Sequence, residues 1–149
     1  MNKQKIIENL IKKNIKIATA ESCTGGLLAK TITDIPGSSA IFDVGLITYS
    51  NQSKIKLLDV NPETLEKHGA VSEQVAIEMA NGLKKITDCD IAISITGIAG
   101  PTGATKNKPI GLVYIAINDK IHKCNFQGNR QEIRQQTIDF VFEKLELLL

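Results

Sequence analysis

Three short apolar runs constrain this chain more than any other feature: "IKIATA" (15–20), "IFDVGLITYS" (41–50) and "DIAISITG" (90–97). Each is rich in β-branched residues, short for a helix, and followed by small or polar residues, which is the pattern of buried or half-buried strands. Segments of helical period alternate with them. Ile6, Ile7, Leu10 and Ile11 predict a helix over 3–13. "LLAKTITD" predicts a second, with Gly25 and Gly26 in its first turn and Pro36-Gly37 ending it. Over 72–87, Ser72 as N-cap, Glu73 in the first turn and the stripe Val75, Met79, Leu83 and Ile86 predict a third. "IGLVYIAI" and "KIHKCNF" predict an antiparallel hairpin turning at Asn118-Asp119. A last helix over about 130–148 puts Ile133, Thr137, Val141, Leu145 and Leu148 on one face. This alternation predicts an α/β fold: a three-layer α/β/α sandwich around a mixed, largely parallel sheet.

With 149 residues the chain suits one domain spanning 1–149, and 42% apolar with 23% charged residues is ordinary globular composition. A net charge of +2, no Trp and 4% aromatics argue against a nucleic-acid partner, which calls for a basic stripe interleaved with stacking rings. Lys3, Lys5, Lys12, Lys13 and Lys16 read as the solvated side of the first helix. Cys23, Cys89 and Cys124 are odd in number and widely spaced, without a C-x-x-C pair, so neither a disulfide framework nor a zinc site is indicated. No run approaches a membrane span and the N-terminus has no signal-peptide core, so a cytoplasmic protein without membrane contact is expected.

In open α/β sheets ligands bind beyond the carboxyl ends of the strands. "ESCTGG", "TYSN" and "TGIAGPTG" each follow a predicted strand, so they should converge there. Ser22 has two readings: a helix N-cap, or a nucleophile flanked by the amides of Cys23, Thr24 and Gly25 as oxyanion donors. Neither His68 nor His122 falls in a converging stretch, which disfavours a Ser-His-Asp triad. Lysine, tyrosine or a carboxylate remain as bases, and Tyr49 with Lys54 five residues later is the available pair. A free lysine titrates near 10.4, so a basic Lys54 requires burial or neighbouring charge; otherwise it is a surface lysine. Glu21 could act as base or hold the turn through backbone amides. Cys23 is a rival nucleophile, since a helix N-terminus lowers a thiol's pKa.

"TGIAGPTGATKNKP" (96–109) reads as a flexible loop or as a phosphate cradle assisted by Lys106 or Lys108. It has no Walker G-K-[ST], and the chain has no G-x-G-x-x-G. Arg130 and Arg134, one turn apart, are either solvated or a phosphate clamp.

Together "TAESCTGG", "ITDIPGSS", "ITYSN", "HGAVSE", "ITGIAGP" and "KPIGLVY" resemble the C-terminal domain of the competence-damage-inducible protein family, from about residue 16 to 137. Stand-alone members of that family are nicotinamide mononucleotide deamidases. The resemblance implies a metal-free serine amidohydrolase without cofactor, with Ser22 as nucleophile and Tyr49 and Lys54 assisting. It also implies substrate contacts at Thr24, Gly25, Gly26, Ser39, Thr96, Gly97, Gly100 and the Arg134-Gln135 pair. The alternative is a non-catalytic nucleotide-binding or competence-related interaction protein. Many relatives have Asp where this chain has Asn129, and two glycines where it has Gly103-Ala104. Larger relatives carry an N-terminal domain, so the free-standing form is the one resembled. A homodimer is expected, with the apolar "LELLL" tail on the core or on the partner.

Overall fold

A computed structural model describes all of residues 1–149. Five strands form one sheet: β1 (Ile17–Glu21), β2 (Phe42–Ile47), β3 (Ile91–Gly97), β4 (Leu112–Ile117) and β5 (Lys120–Asn125). Their spatial order is β2-β1-β3-β4-β5, with β2, β1 and β3 mutually parallel and β4 antiparallel to both neighbours. Only β4 therefore opposes the common direction, and the sheet is mixed and largely parallel as the element alternation predicts. The hairpin turns at Asn118-Asp119, where Asn118 takes a left-handed φ of 53° that asparagine tolerates well.

Six helices cover both faces: α1 (Lys3–Lys12), α2 (Leu27–Thr33), α3 (Asn51–Leu58), α4 (Pro62–His68), α5 (Glu73–Ile86) and α6 (Arg130–Glu146). Period-two alternation along β3 sends Ile91, Ile93 and Ile95 into the core under α1, α2 and α6, with Ile7, Leu10, Leu28 and Phe142. Ala92 faces the opposite side with Ala18, Ala20 and Ala116, and these small residues let α5 lie close on the sheet through Val75, Ala76, Met79 and Ala80. Ser94 on that face donates to the Ala76 carbonyl at 2.5 Å, so its buried hydroxyl is satisfied.

Ser72 caps α5 by accepting from the Val75 amide at 3.2 Å. Two stripe positions depart from the sequence expectation. Ile86, in the last turn of α5, is exposed, and so is Leu148, because α6 stops at Glu146 and the chain then leaves the helical face. Of the tail, Leu145 packs in the core while Leu147 is exposed.

Candidate active site

The register explains why the three stretches meet. Glu21 pairs with Ile47 on one side and with Ile95 on the other, so β1, β2 and β3 end nearly level. The chain leaves these ends into residues 22–26, 48–50 and 98–104, which surround a cavity of about 300 Å³. Its lining includes Ser22, Cys23, Tyr49, Lys54, Thr96, Gly97, Gly100 and Arg130. Neither histidine contributes to it.

At its base Lys54 Nζ donates to Ser22 Oγ at 3.0 Å and to the Tyr49 carbonyl at 3.3 Å. Ser50 makes this possible by capping α3 through the Ser53 amide, which starts the helix so that Lys54 faces inward. The lysine is 1% exposed, the largest fully buried side chain of the protein, and forms no ion pair. Burial pushes its pKa below the ordinary 10.5, with the neighbouring Cys23 pulling weakly the other way. An amine that is buried, unpaired and hydrogen-bonded to a hydroxyl can accept that hydroxyl's proton.

Ser22 is not a helix N-cap. Residues 22–26 form a turn before α2, with Gly25 and Gly26 at φ +58° and +97°, so the glycines precede the helix instead of opening it. Gly26, the N-cap position, offers no capping side chain. Glu21 supplies the cap from the end of β1: its two carboxylate oxygens accept from the Leu28 and Ala29 amides at 2.8 and 3.0 Å. That engagement removes Glu21 as base. Gly25 N–H donates to the Ser22 carbonyl at 3.0 Å and is thus not free for an oxyanion, whereas the Cys23 and Thr24 amides meet no oxygen acceptor. Burial pushes the Cys23 thiol up to about 12, against the weaker pull of its own amide and Arg134. Such a thiol stays protonated, which disfavours it as nucleophile.

The mouth is crossed by a bridge. Arg130, at the start of α6, donates to the Gly100 carbonyl at 2.8 Å and to the Tyr49 phenol oxygen at 2.9 Å. Tyr49 is 59% exposed with its phenol turned to Arg130, and it hydrogen-bonds Lys54 Nζ through its carbonyl. Arg130 has no carboxylate partner. The amides of Ala99, Gly100, Thr102 and Gly103 likewise donate to no protein oxygen. Gly103 sits at φ +97°, which a side chain there would strain. Asn129 caps α6 in a full capping box with Glu132.

Several expected contacts lie elsewhere. Ser39 precedes β2 and therefore belongs to the opposite end of the sheet, where it lines a separate cavity with Lys16, Asp88 and Cys89. Gln135 is exposed and bonded to Asp139. Arg134 sits behind the 22–26 turn, donating to the Thr24 carbonyl at 2.9 Å, outside the cavity lining. Thr24, Gly25 and Gly26 shape the turn without lining the cavity. Thr96, on the wall, donates to the Ala70 carbonyl at 2.8 Å. Lys108 bonds the His68 carbonyl, and neither it nor exposed Lys106 lines the cavity. Asn51 and Thr102, which belong to the converging stretches "TYSN" and "TGIAGPTG" without being singled out there individually, also line it. No group of three or more His, Cys, Asp or Glu residues is placed to hold a metal ion, and no helix is long and apolar enough to cross a membrane.

Fold and site together define an α/β/α protein with a buried serine–lysine pair at the carboxyl ends of parallel strands. The chain belongs to the CinA C-terminal domain family, whose model matches residues 2–149. Relatives named as competence-damage inducible proteins include one from Acetivibrio thermocellus, 50% identical over 138 residues covering 90% of this chain and 33% of that protein. Another, from Clostridium novyi, is 54% identical over 133 residues, covering 87% and 32%. The chain thus spans about a third of the length of these relatives. Among solved structures, the competence/damage inducible protein of Agrobacterium tumefaciens is 39% identical with a TM-score of 0.91, covering 98% of this chain and 94% of that one. A CinA superfamily protein from Escherichia coli is 33% identical with a TM-score of 0.92, covering 99% and 91%.

Proposed function

We propose that this chain hydrolyses the carboxamide of nicotinamide mononucleotide, giving nicotinate mononucleotide and ammonia. The observation that carries the reading is the 3.0 Å hydrogen bond from Lys54 Nζ to Ser22 Oγ, made by a buried lysine with no carboxylate partner. The family resemblance supplies the substrate, and the geometry suits the chemistry. Neutral Lys54 takes the Ser22 proton as Oγ attacks the carboxamide carbon. The Cys23 amide, which meets no oxygen acceptor and belongs to the cavity lining, receives the oxyanion. Lys54 returns the proton to the departing nitrogen, ammonia leaves, and an ester of Ser22 remains. Water, deprotonated by Lys54, opens that ester and frees the nicotinate carboxylate while Ser22 regains its proton. Tyr49 takes part through its carbonyl, which holds Lys54 Nζ in place.

In this reading Arg130 and the free amides of the 99–103 loop hold the 5′-phosphate, in place of Arg134 and Gln135. Binding energy gained there positions the amide over Ser22. The test is ammonia release from nicotinamide mononucleotide by the purified protein, with a chelator present, for wild type, Ser22→Ala, Lys54→Ala and Cys23→Ala. The expected result is chelator-resistant turnover, kept by Cys23→Ala within about threefold and lowered at least about a hundredfold by the other two. A folded wild type that binds the mononucleotide without turnover would replace the amidase with a nucleotide-binding module. Loss in Cys23→Ala alone would move the nucleophile one residue along.

A further inference from the structure

Arg134 is half-buried, with an unusual set of neighbours. Its Nη2 donates to the Thr24 carbonyl at 2.9 Å, its Nε is buried without a partner, and it has no carboxylate partner. Nη2 also lies 3.6 Å from where a Cβ on Gly25 would stand, so the guanidinium is seated against the turn itself. The Thr24 carbonyl belongs to the same peptide group as the Gly25 amide, and that amide donates to the Ser22 carbonyl at 3.0 Å. The Ser22 carbonyl belongs in turn to the peptide group of the Cys23 amide, which meets no oxygen acceptor. A hydrogen-bonded chain of two peptide groups therefore runs from the Arg134 charge to the amide beside the nucleophile.

Hydrogen bonds in series polarise one another, and a cation at the acceptor end strengthens each donor further along. We propose that Arg134 is a positioning residue that acts through the Thr24–Gly25 and Ser22–Cys23 peptides to hold and polarise the Cys23 amide as an oxyanion donor. The left-handed φ of +58° at Gly25 belongs to this arrangement, since it shapes the turn in which the Gly25 amide reaches the Ser22 carbonyl. This gives Arg134 a task other than the substrate contact that the family resemblance implies. It rests on Ser22 being the nucleophile, and it holds for any acyl or phosphonyl acceptor.

The test uses a fluorophosphonate, which Ser22 Oγ attacks at phosphorus with loss of fluoride and with its proton passing to Lys54. The rate of labelling is followed by mass spectrometry for wild type, Arg134→Gln, which keeps a neutral donor, and Arg134→Lys, which keeps the charge. Expected is a fall of about tenfold for Arg134→Gln, smaller than the loss of a direct oxyanion donor, and recovery of most of the rate in Arg134→Lys. With the mononucleotide as substrate the same fall appears in kcat, with KM within about twofold, whereas a substrate contact would raise KM. Amide proton shifts of Cys23 and Gly25 move upfield in Arg134→Gln. Should Arg134→Gln not fold, Arg134→Lys against wild type carries the shift measurement: shifts held near the wild-type positions support the relay, and upfield movement overturns it. A labelled wild type with equal rates and unmoved shifts in Arg134→Gln overturns the relay and leaves the amidase reading standing. A wild type that is never labelled at Ser22 overturns both, and labelling without turnover of the mononucleotide removes only the substrate.

Discussion

At the residue scale the chemistry turns on the protonation of Lys54. Its folded pKa lies below 10.5 because burial disfavours the ammonium. As the base must be neutral, kcat/KM for the mononucleotide should rise with pH through that lowered value and level off above it. A pH–rate profile with its acid limb at the ordinary lysine position would disagree with a base buried as Lys54 is. Lys54→Arg should lose about 10²–10⁴ in kcat, since a guanidinium stays protonated throughout. That Ser22, Tyr49 and Lys54 share one end of the sheet was legible, because they stand at the ends of strand-like runs or in the first turn of the next helix. Ser39 lies just before β2 and so at its amino end, away from the carboxyl-end loops, a position that the element order alone fixes. Which of Arg130 and Arg134 faces the cavity was not legible, because one helical turn separates them and only the packing of α6 decides.

At the scale of elements, the strands and long helices follow from periodicity and caps, whereas the nucleophile turn does not. The glycines at 25 and 26 read as a permissive helix start, yet they form a left-handed turn whose following helix has no cap of its own. The missing cap was itself a signal that another side chain had to serve the first amides of α2. Glu21 does so while 1% exposed, and its two bonds tie the end of β1 to α2 across the turn that presents Ser22. Glu21→Gln keeps the shape but offers one acceptor where two are used, and turns an amide donor toward a backbone donor. The expected cost is about 1–3 kcal/mol in urea unfolding, with slower fluorophosphonate labelling of Ser22 even where the protein remains folded. Unchanged stability would mean that Glu21 is not the cap that holds this turn.

At the scale of the whole molecule the site is maintained against the stability of the fold. The sandwich closes both faces of its sheet with apolar clusters, yet at the carboxyl end of the strands it buries a lysine that no carboxylate compensates. Below its lowered pKa that lysine is charged in both folded and unfolded chains, and the folded state bears the desolvation. Between the lowered value and the unfolded one near 10.4, only the unfolded chain holds the proton, so stability rises with pH across that window. Cys23 and Cys124, pushed by burial up to about 12 and about 11, work in the opposite sense above the ordinary thiol value of 9.0. The comparison must therefore be made between variants. Lys54→Met fills the same space without charge, and should be inactive but more stable than wild type at pH 6 by roughly 0.5–2 kcal/mol. The gap should close as pH approaches 10, where folded Lys54 has lost its charge; the Cys124 term is common to both proteins and cancels, while the Cys23 term differs only through its minor coupling to Lys54. Urea midpoints measured from pH 6 to 10 read this directly. Parallel curves would show that the folded protein carries the Lys54 charge without penalty, and the amine would then be an ordinary ammonium, unable to take a proton from Ser22.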